Sequence, residues 1–202
     1  MKPTMVGAMK TPNSVCVYCG SSSRVADVHK AAAHALGAGL AERGIRLVYG
    51  GGRVGLMGIL ADAAIAAHGE VVGIIPEHIK VMEVEHTGLA ELHVVDSMHT
   101  RKRMMVERSD AFIVLPGGMG TLDETFEVLT WKQLRLHDKP VVIVDVEGYW
   151  APLLALIDTM VEEGFCREEH RRLFTVVKRV EDVFTALDRA PEPSAPADTK
   201  WL

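Results

Sequence analysis

Arg46-Leu47-Val48-Tyr49-Gly50-Gly51-Gly52-Arg53-Val54-Gly55-Leu56-Met57-Gly58 runs from a short apolar segment through a glycine cluster into a helical pattern. Four residues suit a strand, and the glycines punctuate it. The same order recurs on both sides. Residues 15–18 lead into Cys19-Gly20-Ser21-Ser22-Ser23, and residues 111–115 lead into Pro116-Gly117-Gly118-Met119-Gly120-Thr121-Leu122-Asp123-Glu124. Further strand-like runs lie at 71–75, 92–95, 141–144 and 175–178. Most are continuously apolar, the mark of strands covered on both faces. Helical patterns fill the gaps at 25–43, 55–68, 98–109, 121–137 and 149–163, and a last one follows at 180–188. Strands alternating with helices predict βαβ units and a parallel sheet with helices on both faces. The expected fold is α/β, a Rossmann-like doubly wound parallel sheet in one domain over residues 14–189. Residues 1–13 and the proline-rich stretch 190–202 read as flexible ends. Ligands of such sheets bind at the carboxyl ends of the strands.

Composition narrows the functional classes. A chain of 202 residues suits one domain, and 48% hydrophobic with 24% charged residues excludes a disordered or collagen-like chain. The net charge of −5 argues against a nucleic-acid partner. The apolar runs are too short to span a bilayer, so no membrane partner is expected. The first eleven residues lack the apolar core of a secretory signal. Three cysteines are too few for a disulfide framework. Cys16 and Cys19 form a C-x-x-C, but most of it lies in a strand and no further ligands follow. It reads as two small buried apolar residues, and a cytoplasmic location fits.

The three strand-end loops carry the functional signal. Gly20 and Ser21 can offer N–H and O–H donors to an anion, or simply make a turn and cap. Gly50, Gly52 and Gly55 satisfy G-x-G-x-x-G between strand and helix, the setting for a nucleotide phosphate. The dinucleotide version wants an acid after the next strand. Ile75 is followed instead by Pro76 and Glu77, which argues against NAD. Close helix–sheet packing is the alternative reading of these glycines. The third loop opens a helix, where glycine amides and the helix dipole suit a phosphate. Thr121-Leu122-Asp123-Glu124 is also a formal capping box, in which Glu124 reaches back to the Thr121 N–H without any ligand.

Carboxylates repel phosphate, so cations are needed nearby. Arg101-Lys102-Arg103 follow Asp96-Ser97, a helix-start signal. Cations there oppose the dipole, so local stability does not ask for them but an anionic partner would. Consecutive helix positions diverge by about 100°, so at most two of the three meet one ligand. No serine-hydrolase elbow, Walker loop or H-E-x-x-H pattern is present, and no metal or cofactor is expected. A carboxylate beside a phosphate-anchored sugar suits glycosidic cleavage, which builds positive charge on the ring.

Pro116–Glu124 resembles the PGGxGTxxE motif of the LOG ("lonely guy") family. Met98-His99-Thr100-Arg101-Lys102 resembles that family's second motif, and the glycines from Gly50 to Gly58 a third. The likeness covers about residues 14–187. It implies a phosphoribohydrolase that splits the N-glycosidic bond of nucleoside 5′-monophosphates, AMP and its N6-modified cytokinin forms. It implies Arg101 and Glu124 as the catalytic pair. Gly117, Gly118, Gly120 and Thr121 would wrap the phosphate, while Lys102 and Asp123 support the ribose and phosphate contacts. Gly20, Ser21, Gly51, Gly52, Glu83 and Met119 complete the expected substrate contacts. The resemblance also implies a homodimer with active sites near the interface and no metal. A non-catalytic nucleotide or cofactor carrier of the same fold is the competing reading.

Overall fold

The structure, a computed structural model, describes residues 11–80, 86 and 88–190. Glu83 and the outer parts of both expected flexible ends, 1–10 and 191–202, lie outside the described residues. Of the amino-terminal end, Thr11 donates its hydroxyl to Asp188 at 3.1 Å and Asn13 donates its N–H to Asp110 at 3.0 Å.

The strands are β1 Ser14–Tyr18, β2 Arg46–Tyr49, β3 Val71–Pro76, β4 Glu91–Val95, β5 Ala111–Val114, β6 Val141–Val144 and β7 Thr175–Val177. The helices are α1 Asp27–Glu42, α2 Gly55–Ala66, α3 Glu77–Lys80, α4 Met98–Glu107, α5 Met119–Gln133, α6 Ala151–Glu162 and α7 Glu181–Asp188. The strands form one parallel sheet in the order β4-β3-β2-β1-β5-β6-β7. The expected doubly wound architecture is present.

Burial follows sheet position. β1, β3, β5 and β6 are buried throughout, and their sequences are apolar on both faces. The edge strands β4 and β7 are partly exposed, and β4 accordingly carries Glu91 and His93. Successive β1 side chains enter opposite cores. Val15 and Val17 pack with Leu36, Leu60 and Val183 of α1, α2 and α7. Cys16 and Tyr18 pack with Met105, Val128 and Trp150 on the face covered by α4, α5 and α6. Cys19 belongs to the first core and Cys16 to the second, so the two thiols sit on opposite faces and both are free.

The chain moves outward from β1 to β4, then crosses back through α4 to place β5 beside β1. Flanking connections diverge there and leave a crevice at the carboxyl ends of β1 and β5. No helix among the described residues is long and apolar enough to cross a membrane.

Candidate active site

The two loops that flank the crevice touch. Gly20 donates its N–H to the Pro116 carbonyl at 3.1 Å, and Leu56 donates its N–H to the Gly20 carbonyl at 3.0 Å. A β-carbon on Gly117 would fall 2.1 Å from the Thr121 hydroxyl oxygen, so only glycine fits where this loop turns into α5. The helix begins at Met119, with Gly118 as its extended cap residue and no side-chain cap. Leu122 donates to the Gly118 carbonyl at 3.0 Å.

That start differs from the expected capping box. Thr121 is the third residue inside the helix, buried, and not its cap. The glycines let the chain enter the helix before the threonine is reached. Glu124 therefore lies in the second turn and faces α4. The leading N–H groups of a helix have no intrahelical acceptor. Here they are flanked by Gly118 and Gly120, where an added β-carbon would meet nothing within 4 Å among the described residues. An anion can approach that helix end directly.

α4 is capped by Ser97, whose hydroxyl accepts the Thr100 N–H at 3.2 Å. The three cations that follow go three ways. Arg103 is exposed and pairs with Glu107 at 3.7 Å. Lys102 crosses to α5, meeting Asp123 at 3.2 Å and Glu127 at 3.0 Å. Burial works against its ammonium, but the two carboxylates outweigh it and raise the Lys102 pKa. Lys102 and Asp123, expected to support the ribose and phosphate, thus clasp α4 to α5.

Arg101 turns inward and is 8% exposed. Its Nη2 lies 4.0 Å from Glu124 Oε1, beyond hydrogen-bond range. It also donates to the Gly50 carbonyl at 3.3 Å, while Nη1 points at the Met98 sulfur at 3.7 Å. The buried Nε has no partner among the described residues. A buried guanidinium with unmet donors is costly unless an anion completes it. The Glu124 charge is felt at the end of β1. Burial first, and that charge second, push the thiols of Cys16 and Cys19 up, so neither is a nucleophile at neutral pH.

A cleft of about 280 Å³ opens at this edge, lined by Gly20, Ser21, Gly117, Gly118 and also by His29, Leu56 and Tyr149. Met119 stands 85% exposed beside it. Gly51 is buried and turned toward β3, where a β-carbon would meet Ile75 at 3.1 Å. Gly52 is also buried. Gly51 packs against β3, whereas its neighbour Gly50 touches Arg101. An added β-carbon at Gly50 would fall 2.0 Å from Arg101 Nη2. Sequence reasoning placed Gly50 in a phosphate loop without its contact to Arg101, and did not single out His29 or Tyr149 at the cleft. The glycine run contained the first, and extending the strand-end rule to β6 would have found Tyr149. A larger hollow of about 630 Å³ lies at the amino ends of β6 and β7, by Pro140 and Phe174, and holds none of the candidate residues.

A family model described as "Possible lysine decarboxylase" matches residues 57–187. Cytokinin riboside 5′-monophosphate phosphoribohydrolase of Rhodococcoides fascians is 47% identical over 185 residues, covering 91% of this chain and 93% of that protein. Cytokinin riboside 5′-monophosphate phosphoribohydrolase LOG1 of Arabidopsis thaliana is 45% identical over 175 residues, covering 83% and 82%. The molybdenum cofactor carrier protein of Chlamydomonas reinhardtii superposes with a TM-score of 0.67 at 21% identity, covering 88% of this chain and 96% of that one. The last likeness speaks to the fold alone. With nearly half its residues shared along almost the full length of such relatives, and the family model matched from α2 to α7, the chain belongs to the LOG family.

Proposed function

We propose that this protein hydrolyses the N-glycosidic bond of purine nucleoside 5′-monophosphates, AMP and N6-modified cytokinin riboside monophosphates, to free base and ribose 5-phosphate. The observation that carries this reading is the nearly buried Arg101–Glu124 pair, 4.0 Å apart and held between α4 and α5. The phosphate is received by the leading amides of α5 at Gly118 and Gly120, with Arg101 supplying the guanidinium. Binding energy at the phosphate places the sugar beside Glu124. As the C1′–N bond breaks, its electron pair goes to the base nitrogen, and the proton lost by the attacking water ends on that nitrogen, so the base leaves neutral. The cationic sugar is stabilised by the Glu124 carboxylate, and water adds to C1′.

Incubating the pure protein with AMP and with isopentenyladenosine monophosphate, and following the free base, tests the reading. Release of neither base would refute it. A carrier of the same fold needs the glycines but not an acid set against a guanidinium; it would bind nucleotide tightly without turnover. Lys102, beside this site, is held protonated by its two carboxylates and is not poised as a nucleophile here. The same reading includes a cytoplasmic homodimer with its sites near the interface. Sedimentation of a monomer at micromolar concentration would remove the dimer from it.

A further inference from the structure

The strand end after β6 carries no glycine motif, and the reaction above gives it no part. Asp145, fully buried, accepts the Trp150 N–H at 2.7 Å and pairs with Lys178. It anchors a short 3-10 turn, Val146–Gly148, in which Glu147 has a φ of 52°. The turn delivers Tyr149 to the rim of the crevice. Its ring stands edge-on to Trp150, with centroids 4.9 Å apart, and to His29 of α1, 5.6 Å away. Its hydroxyl donates to the Gly117 carbonyl at 2.6 Å.

Burial does not require that bond. Tyr149 is 44% exposed, and water could satisfy its hydroxyl. The consequence falls on the partner. Gly117 is followed by another glycine, and neither has a side chain to hold the peptide between them. That peptide is planar and trans, so the Gly117 carbonyl and the Gly118 N–H point in opposite directions. Holding the carbonyl on Tyr149 turns the Gly118 N–H away from Tyr149. This N–H is one of the four that open α5 without an intrahelical acceptor.

We propose that Tyr149 is a positioning residue: its hydroxyl sets the Gly117–Gly118 peptide so that the Gly118 N–H is presented to the phosphate of the ligand. The ligand assignment rests on the nucleotide reading above, but the peptide orientation does not.

Tyr149→Phe keeps the ring on His29 and Trp150 and removes only the hydroxyl. The expected result is a KM for AMP raised about five- to tenfold, the loss of roughly one hydrogen bond. The inhibition constant of ribose 5-phosphate rises by the same factor, and kcat stays within about twofold. The melting temperature moves by no more than about 2 °C. In the ligand-free protein the Gly118 amide signal in a 1H–15N spectrum shifts and broadens. A merely structural tyrosine would lower the melting temperature and leave KM and that signal unchanged, which would overturn the proposal. If the wild-type protein neither cleaves nor binds nucleotide, the function proposed above fails. The Gly118 signal then decides alone: unmoved in Tyr149→Phe it overturns the positioning role, and displaced it supports it.

Discussion

Gly50→Ala separates the placement of Arg101 from the stability of the fold. Gly50 has no left-handed backbone conformation, so alanine meets no backbone strain there. The conflict is with a side chain. The new methyl would sit 2.0 Å from Arg101 Nη2, 3.2 Å from Cζ and 3.3 Å from the Met57 sulfur. Ordinary approach is about 3.5 Å, so Nη2 must retreat by roughly 1.5 Å. Arg101 is 8% exposed, donates to the Gly50 carbonyl and lies 4.0 Å from the Glu124 carboxylate. Retreating by that much breaks its bond to the Gly50 carbonyl and changes its distance to Glu124. Because the clash is with the far end of a side chain, the stability cost falls at the low end for overpacking, about 1 kcal/mol. For a chain of this size that is a loss of about 2–4 °C in melting temperature. A displacement of about 1 Å in a catalytic group costs about 10²-fold in rate. The assay is kcat/KM for adenine release from AMP beside a thermal melt of the same preparation. Activity within about threefold of wild type, with Arg101 displaced in a structure of the variant, would refute the reasoning.

Glu124→Gln keeps the shape and removes the charge; turnover of AMP should fall about 10²–10³-fold while the melting temperature holds. Early melting with turnover intact would make the carboxylate structural. Gly118→Ala adds a methyl that, apart from its chain neighbours, meets no atom of the described residues within 4 Å, so it clashes with none of them. If the phosphate seats against the opening amides of α5, a side chain at its cap residue crowds it, and the KM for AMP should rise about tenfold, a loss of about 1.4 kcal/mol; an unchanged KM would place the phosphate elsewhere. His137 supplies a pH signature. Burial pushes its pKa down from 6.5 to about 4, with Nε2 on the Val128 carbonyl at 2.9 Å and Nδ1 accepting the Lys139 N–H. Below pH 6.5 the unfolded chain binds a proton that the folded one refuses. Stability is therefore full above that pH and falls toward pH 4 by up to about 3 kcal/mol. Urea titrations should show that slope, and His137→Asn should flatten it; an equal slope in the variant would assign it to other groups.

Much of this molecule was legible in one dimension. Strands such as Arg46–Tyr49 and Val141–Val144 are short β-branched or apolar runs covered on both faces, and nothing local competes with that reading. Their alternation with helices left one topology class, and the glycines after β1, β2 and β5 marked the strand ends where the candidate site lies. Local patterns misled where two local solutions coexist. Thr121 and Glu124 have the spacing of a capping box, yet Gly118 starts the helix earlier and frees Glu124 to face α4.

The chain's own order thus determined the elements, the sheet and the crevice, because these follow from hydrophobic period and turn chemistry within some ten residues. Tertiary structure decided the partners. Gly50 meets Arg101 across 51 residues, Lys102 meets Asp123 across 21, and Tyr149 meets Gly117 across 32. Which of three adjacent glycines touches the guanidinium, and which of three adjacent cations turns inward, depends on how helices rotate and pack on the sheet. That rotation is set by the two cores as wholes, and no local segment encodes it.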